Sequence, residues 1–351
     1  MAQRVVVAGG AGYIGSHVCV ALLDAGRDVL VIDDFSNGSP IALDRIREVT
    51  GRDFETVAAD LASQADRARI EDAARAFAAD GAVLLAGLKA VGESVEEPLR
   101  YYETNFGAAA GLLHAMAAAD AKALVFSSSA TVYGDLNASP VSETAKIGAV
   151  NPYGRTKQFI EEILRDHARA TPGFGVVNLR YFNPVGAHES GRLGEDPNGV
   201  PNNLFPYIAQ TAVGRRDKLH VFGNDYPTPD GTGVRDYIHV VDLARGHVNA
   251  LDYLARTPAD TADDRVVDVN LGVGAGASVL EAIAAFKRAS NRDVPFEVVA
   301  RRPGDVAEIY ADPARAKALL GWTAEKTLDE MCADHWAWQR DNPDGYGDAS
   351  D

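Results

Sequence analysis

The chain has 351 residues, 46% hydrophobic and 24% charged, which excludes a mostly disordered protein and leaves room for two domains with a large buried core. Lys and Arg total 34 against 50 Asp and Glu, and the resulting net charge of −16 repels polyanions, which argues against nucleic-acid binding. Cys19 and Cys332 are too few for a disulfide framework, no stretch resembles a cleavable leader, and no apolar run approaches the roughly 18 residues that cross a bilayer, so the expectation is a cytoplasmic protein off the membrane.

From the start, short β-branched runs alternate with helical stretches, the pattern of βαβ units in a Rossmann-type, doubly wound parallel sheet of the α/β class. Strands are expected at residues 4–8, 28–33, 54–58, 83–86, 123–127 and 175–179. Apolar residues at three- and four-residue spacing predict helices at 17–25, 99–119 and 152–170. After about Phe182 the rhythm breaks. Residues 183–200 are dense in Gly, Pro, Asn and Asp and predict an irregular crossing into a smaller mixed α/β unit. The expected division is 1–182 and 183–351, with the chain crossing back to the first unit around 235–270. The last residues, 341–351, carry four Asp and no base and predict a solvated, mobile tail.

Gly9, Gly12 and Gly15 follow the first strand and open a helix. Such glycines let the backbone turn tightly and approach a pyrophosphate, which then rests on the helix N-terminus, where unpaired N–H groups and the dipole favour negative charge. Asp33 closes the second strand 18 residues after Gly15, near the ~20 expected of a carboxylate that grips adenosine ribose hydroxyls. The pattern predicts a dinucleotide site, and the carboxylate favours NAD over NADP, whose 2′-phosphate it would repel. Asp60, with Leu61 beside it, reads either as a contact to the adenine edge or as a surface strand-end carboxylate.

Tyr153 and Lys157 stand four apart and, on a helix, share one face. A phenol with a pKa of ~10 is a poor base at neutral pH, but a neighbouring ammonium and a cationic nicotinamide both stabilise phenolate. Ser129 lies just past the fifth strand, at the carboxyl edge where doubly wound sheets bind ligands, and its hydroxyl is placed to share a proton with Tyr153.

With the glycine turn, Ser129, Tyr153 and Lys157 in this order, the chain resembles the extended short-chain dehydrogenase/reductase family. Within it, AGLKAVGES, SSSATVYG, RYFNPVGAH, PNNLFPYIAQ, FGNDYPTPDGTGVRDYIHV and RRPGD resemble the UDP-hexose 4-epimerases nearly end to end. The resemblance implies an isomerase that interconverts UDP-glucose and UDP-galactose through a 4-keto sugar, with tightly held NAD taking and returning the C4 hydride. It implies that Tyr153 removes the 4-hydroxyl proton and that Lys157 bonds the nicotinamide ribose. Tyr13, Ile14, Asn37, Lys89 and Phe182 would be further cofactor contacts. Arg235 and Arg302, planar forks suited to a diphosphate, would bind substrate with Asp305, Asn183, Asn203 and Leu204. Tyr226, Asp236 and His239 are expected to support the fold. A homodimer through the helices at 99–119 and 152–170, each apolar on more than one stripe, is also implied.

Leu84, Leu85 and Thr104 depart from the family pattern beside the cofactor, where they bear on NAD retention. Ile309 stands where side-chain size limits the space beside the sugar 2-substituent, and its intermediate size predicts some activity on N-acetylated UDP-hexosamines. A 4,6-dehydratase is disfavoured because Ser129, Ala130 and Thr131 stand where its acid/base pair belongs. A uronate or pentose 4-epimerase shares the same chemistry and stays open. A non-catalytic NAD-sensing protein is disfavoured because Tyr153 and Lys157 are both intact. No metal is called for.

Overall fold

The computed structural model describes residues 3–197, 199, 201, 203–257, 265–302 and 305–347. The first half runs β1 (Arg4–Ala8), α1 (Tyr13–Asp24), β2 (Asp28–Asp33), α2 (Pro40–Thr50), β3 (Glu55–Ala58), α3 (Arg67–Phe77), β4 (Gly81–Leu84), α4 (Val91–Glu96), α5 (Pro98–Ala118), β5 (Ala123–Ser129), α6 (Pro152–Ala170) and β6 (Gly175–Tyr181). It continues through β7 (Asn183–Val185), α7 (Leu204–Ala212), β8 (Leu219–Phe222), β9 (Val234–Arg235), β10 (Tyr237–His239), α8 (Val240–Arg256) and β11 (Val266–Leu271). Last come β12 (Ala277–Ser278), α9 (Val279–Ser290), β13 (Phe296–Val299), β14 (Glu308–Ile309) and α10 (Leu328–Asp341).

Among the described residues, seven parallel strands form the main sheet in the order β11-β6-β5-β4-β1-β2-β3. Their Val- and Ile-rich sequences suit burial on both faces. Val18, Leu22, Ile46 and Leu251 of α1, α2 and α8 cover one face, while Ile70, Leu112 and Ile160 of α3, α5 and α6 cover the other. The strand order reverses between β1 and β4, which opens a crevice at the carboxyl ends of the strands. A second core gathers Phe205, Ile208, Phe286 and Met331 from α7, α9 and α10 against the β8–β13 pair. Among the described residues no helix is long and apolar enough to cross a membrane, and no His, Cys, Asp and Glu cluster is arranged to hold a metal.

Several boundaries differ from expectation for identifiable reasons. Strand β4 ends at Leu84 rather than running to residue 86, because the amides of Leu85 and Ala86 both turn to donate to the Ala8 carbonyl at 2.9 Å. Helix α1 starts at Tyr13, four residues before its apolar periodicity becomes visible, since the glycine turn supplies its first turn. Strands β5 and β6 extend to Ser129 and Tyr181. The mobile tail is corrected up to residue 347: Asp341 closes α10, the Tyr346 amide donates to Asp196 at 2.8 Å, and the Tyr346 ring packs on Trp338 with centroids 4.7 Å apart. Residues 348–351 lie outside the described ones. The outer stripes of α5 and α6 are not covered within the chain, for Leu99, Phe159 and Ile163 stay exposed.

Candidate active site

The glycine turn is built by close packing. Gly9 has a φ of +84°, and a Cβ there would lie 2.7 Å from the Ala86 nitrogen; a Cβ on Gly15 would lie 2.0 Å from the Gly9 carbonyl oxygen. Strand β1 therefore feeds straight into α1, whose first turn has neither a side-chain cap nor an acidic residue. Its N–H groups are left to an anion. The Asp33 carboxylate accepts from the Ala11 amide and from the Phe35 amide, each at 2.9 Å, and so ties the turn to the end of β2. Burial raises its carboxyl above the usual range. Gly9, Gly12, Asp33, Asn37, Asp60, Leu61, Leu85 and Thr104 line one cavity. Tyr13 instead donates to the Gly186 carbonyl at 2.8 Å, and Ile14 packs on the main core. Leu84 points into the core beneath the sheet, so of the three departures Leu85 and Thr104 face the cavity.

Strand β5 delivers Ser129, which caps the 3-10 turn Ala130–Tyr133 by accepting from the Thr131 amide at 3.2 Å. Helix α6 begins at Pro152 behind the Asn151 cap, which accepts from the Gly154 amide at 2.8 Å and sets Tyr153 in the first turn. The Ser129 hydroxyl faces the Tyr153 phenol. The Lys157 ammonium donates to the Ser127 carbonyl at 2.8 Å and lies 5.8 Å from the centroid of the Tyr153 ring. Burial pushes Lys157 down to about 8. Burial also raises the Tyr153 phenol, opposed by the Ser129 hydroxyl.

Two residues that sequence reasoning missed hold this arrangement. Asn105 accepts from the Leu88 amide at 2.7 Å and donates to Thr156 at 2.9 Å, which ties the loop after β4 to α6 beside Lys157. Tyr181 bonds His247 through its hydroxyl, which also faces Ser127. Spacing gives no sign of either, because each acts across the sheet edge.

A second cavity is lined by Asn183, Asn203, Leu204, Phe222, Arg235, Arg302 and Asp305. Arg302 donates to Asp305 at 3.0 Å and stacks 4.7 Å from the Phe222 ring centroid, while Arg235 lies 4.0 Å from the other Asp305 oxygen. Two cations thus share one carboxylate and leave a local positive charge on an acidic protein. Ile309 does not line this cavity. It pairs with Arg235 across β14 and β9 and packs against the small core that contains Ala130, Tyr133 and Phe182. Lys89 pairs with Glu195 at 3.3 Å. Asp236 accepts from the amides of Val273, Gly274 and Ala311, His239 caps α8, and the Tyr226 ring lies 4.0 Å from the Arg301 guanidinium.

The GDP-mannose 4,6-dehydratase family model matches residues 6–335. The chain is 53% identical over 348 residues to the UDP-glucose 4-epimerase of Bacillus subtilis (strain 168), covering 99% of this chain and 100% of that protein. The chain belongs to the UDP-glucose 4-epimerase family. It is also 49% identical to the bifunctional UDP-glucose 4-epimerase and UDP-xylose 4-epimerase 1 of Pisum sativum, over 98% of this chain and 97% of that one. The structure of UDP-glucose 4-epimerase from Bifidobacterium longum in complex with NAD+ and UDP superposes with a TM-score of 0.90 at 48% identity, over 97% of this chain and 99% of that one. The dehydratase match reflects the fold these families share: Ala130 and Thr131, which follow Ser129 here, offer no acid/base pair to eliminate water.

Proposed function

We propose that this protein is an NAD-dependent epimerase that interconverts UDP-glucose and UDP-galactose at C4. The observation that carries the reading is the Ser129–Tyr153–Lys157 group beside a two-arginine cavity, in a chain about half identical over its full length to UDP-glucose 4-epimerases. The glycine cradle and the bare N-terminus of α1 fit a dinucleotide diphosphate. Gly9, Gly12 and Gly15, with Tyr13 and Ile14, would hold the diphosphate of NAD; Asp33 and Asn37 the adenosine ribose; Asp60 and Leu61 the adenine; Lys89, Lys157 and Phe182 the nicotinamide side. Residues 1–182 would form the NAD-binding unit and 183–351 mainly the UDP-sugar unit, with the chain crossing back around 235–270.

When bound, NAD supplies a hydride acceptor that takes the sugar C4 hydrogen and returns it. The protein's part is proton transfer and charge. Tyr153 takes the 4-hydroxyl proton and gives it back, Ser129 shares that proton, and the Lys157 cation stabilises the phenolate. Arg235 and Arg302 hold the diphosphate, Asp305 a ribose hydroxyl, and Asn183, Asn203 and Leu204 the remaining substrate surface. Because the ammonium is needed, turnover is expected to fall on the alkaline side as Lys157 loses its proton through about 8. A pH–rate profile checks this, and Lys157→Met should show no such limb in its residual rate.

The packing of Ile309 against the core that holds Phe182 supports a role in admitting a sugar 2-substituent. Ile309→Tyr is expected to lower turnover of UDP-N-acetylgalactosamine at least about tenfold while UDP-galactose turnover changes less than about twofold. Equal losses on both substrates would remove Ile309 from this role. The bifunctional Pisum sativum relative favours a second activity, C4 epimerisation of a UDP-pentose. The exposed Leu99, Phe159 and Ile163 on α5 and α6 support a homodimer through these helices. Proton NMR of the anomeric signals after incubation with UDP-galactose tests the main reading: UDP-glucose should appear, and its absence would refute it.

A further inference from the structure

Glu195 lies in the crossing between β7 and α7, with its side chain buried, and one of its oxygens is shared by two groups from opposite sides of the site. That oxygen accepts from the Lys89 ammonium at 3.3 Å, on the loop after β4, and from the Asn203 amide at 2.7 Å, at the start of α7. Its other oxygen is buried without a protein partner. A buried carboxylate oxygen left unpaired is costly, so the sequence tolerates a strained choice here.

Asn203 makes the same choice. It occupies the N-cap of α7, where an asparagine side chain usually accepts from the helix amides, yet it makes no cap bond and turns its amide nitrogen to Glu195. That leaves its carbonyl oxygen as the acceptor for whatever occupies the two-arginine cavity, which Asn203 lines. The backbone around Glu195 is anchored from the C-terminal segment. Trp338 donates to the Glu195 carbonyl at 3.3 Å, Tyr346 bonds Gly194, and the Tyr346 amide holds Asp196 at 2.8 Å. The carboxylate is therefore presented on a fixed support. Lys89 is equally constrained at its base, where Leu88 is bound by Asn105 and Ala90 by the Tyr101 hydroxyl.

We propose that Glu195 is a positioning residue that joins the cofactor half of the site, through Lys89, to the sugar half, through Asn203, so that an occupied UDP site slows the release of NAD. The idea rests on the epimerase reading above. Physically, a nucleotide held by Asn203 fixes the amide against Glu195, and the shared oxygen then holds Lys89 next to Leu88, which lines the cofactor cavity. As far as UDP tightens NAD at equilibrium, NAD tightens UDP by the same factor.

The test is exchange of bound NAD for isotope-labelled NAD, followed by mass spectrometry on the purified holoenzyme with and without saturating UDP. No turnover is needed, so its outcome is separate from that of the epimerase reading, which UDP-galactose conversion in the same preparation decides. In the wild type UDP should slow exchange about tenfold. In Glu195→Gln and in Lys89→Met, a partly exposed side chain whose loss leaves the fold intact, UDP should change the rate by less than about twofold. The KM for UDP-galactose in Glu195→Gln should rise more than kcat falls. A wild type indifferent to UDP, or variants that keep the full tenfold effect, would overturn the proposal.

Discussion

Tyr153→Phe is expected to lower epimerase turnover about a thousandfold while the protein still purifies with NAD. Phenylalanine keeps the ring and its packing, and it removes only the hydroxyl that faces Ser129. The glycine cradle, the bare turn of α1 and the Asp33 anchor all lie on other elements and are untouched by the change. Binding and chemistry should therefore separate cleanly. Turnover by NMR and NAD content by absorbance check both halves. Retained turnover in this variant would take Tyr153 out of the proton step, and lost NAD would mean that the phenol serves to bind the cofactor.

Arg180→Ala is expected to destabilise the protein by about 3–5 kcal/mol, because it breaks a buried ion network and strands its acids. Arg180, on β6, is fully buried; it donates to Glu161 of α6 at 2.6 Å and to Asp268 of β11 at 2.9 Å, and it bonds the Tyr133 hydroxyl at 3.1 Å. Ser128 donates to the same Glu161 at 2.6 Å, so the network also fixes the strand end that presents Ser129. Without the guanidinium, Glu161 and Asp268 keep only the more exposed Arg165 as a cationic partner. Denaturant unfolding measures the loss. Arg180→Met combined with Glu161→Gln should recover part of it, since removing both charges costs less than stranding one. Arg165 of α6, which is more exposed and reaches the same two acids, should cost less than Arg180 when replaced by Ala.

The cofactor half was legible because its chemistry is local. A glycine turn, a strand and an acid 18 residues on are all set by backbone geometry within one βαβ unit. Tyr153 and Lys157 were legible for the same reason, being one helical turn apart. Arg235 is distant in sequence from Arg302 and Asp305 and meets them in space, so only family resemblance pointed to the group. Glu195, Asn105 and Tyr181 were not legible at all. Each works through partners dozens of residues away, and a lone Glu in a Gly- and Pro-rich crossing looks like any solvated acid. The C-terminal segment was misread for a related reason: its four Asp favour solvent, but the burial of Tyr346 against Trp338 wins locally.

The central claim is that C4 epimerisation proceeds by hydride transfer within one site that keeps its cofactor. The most direct measurement is turnover of UDP-galactose deuterated at C4, with no NAD added, followed by NMR. UDP-glucose that keeps its deuterium at C4 is the predicted product. Deuterium washed out to solvent, or no product until NAD is supplied, would contradict the account.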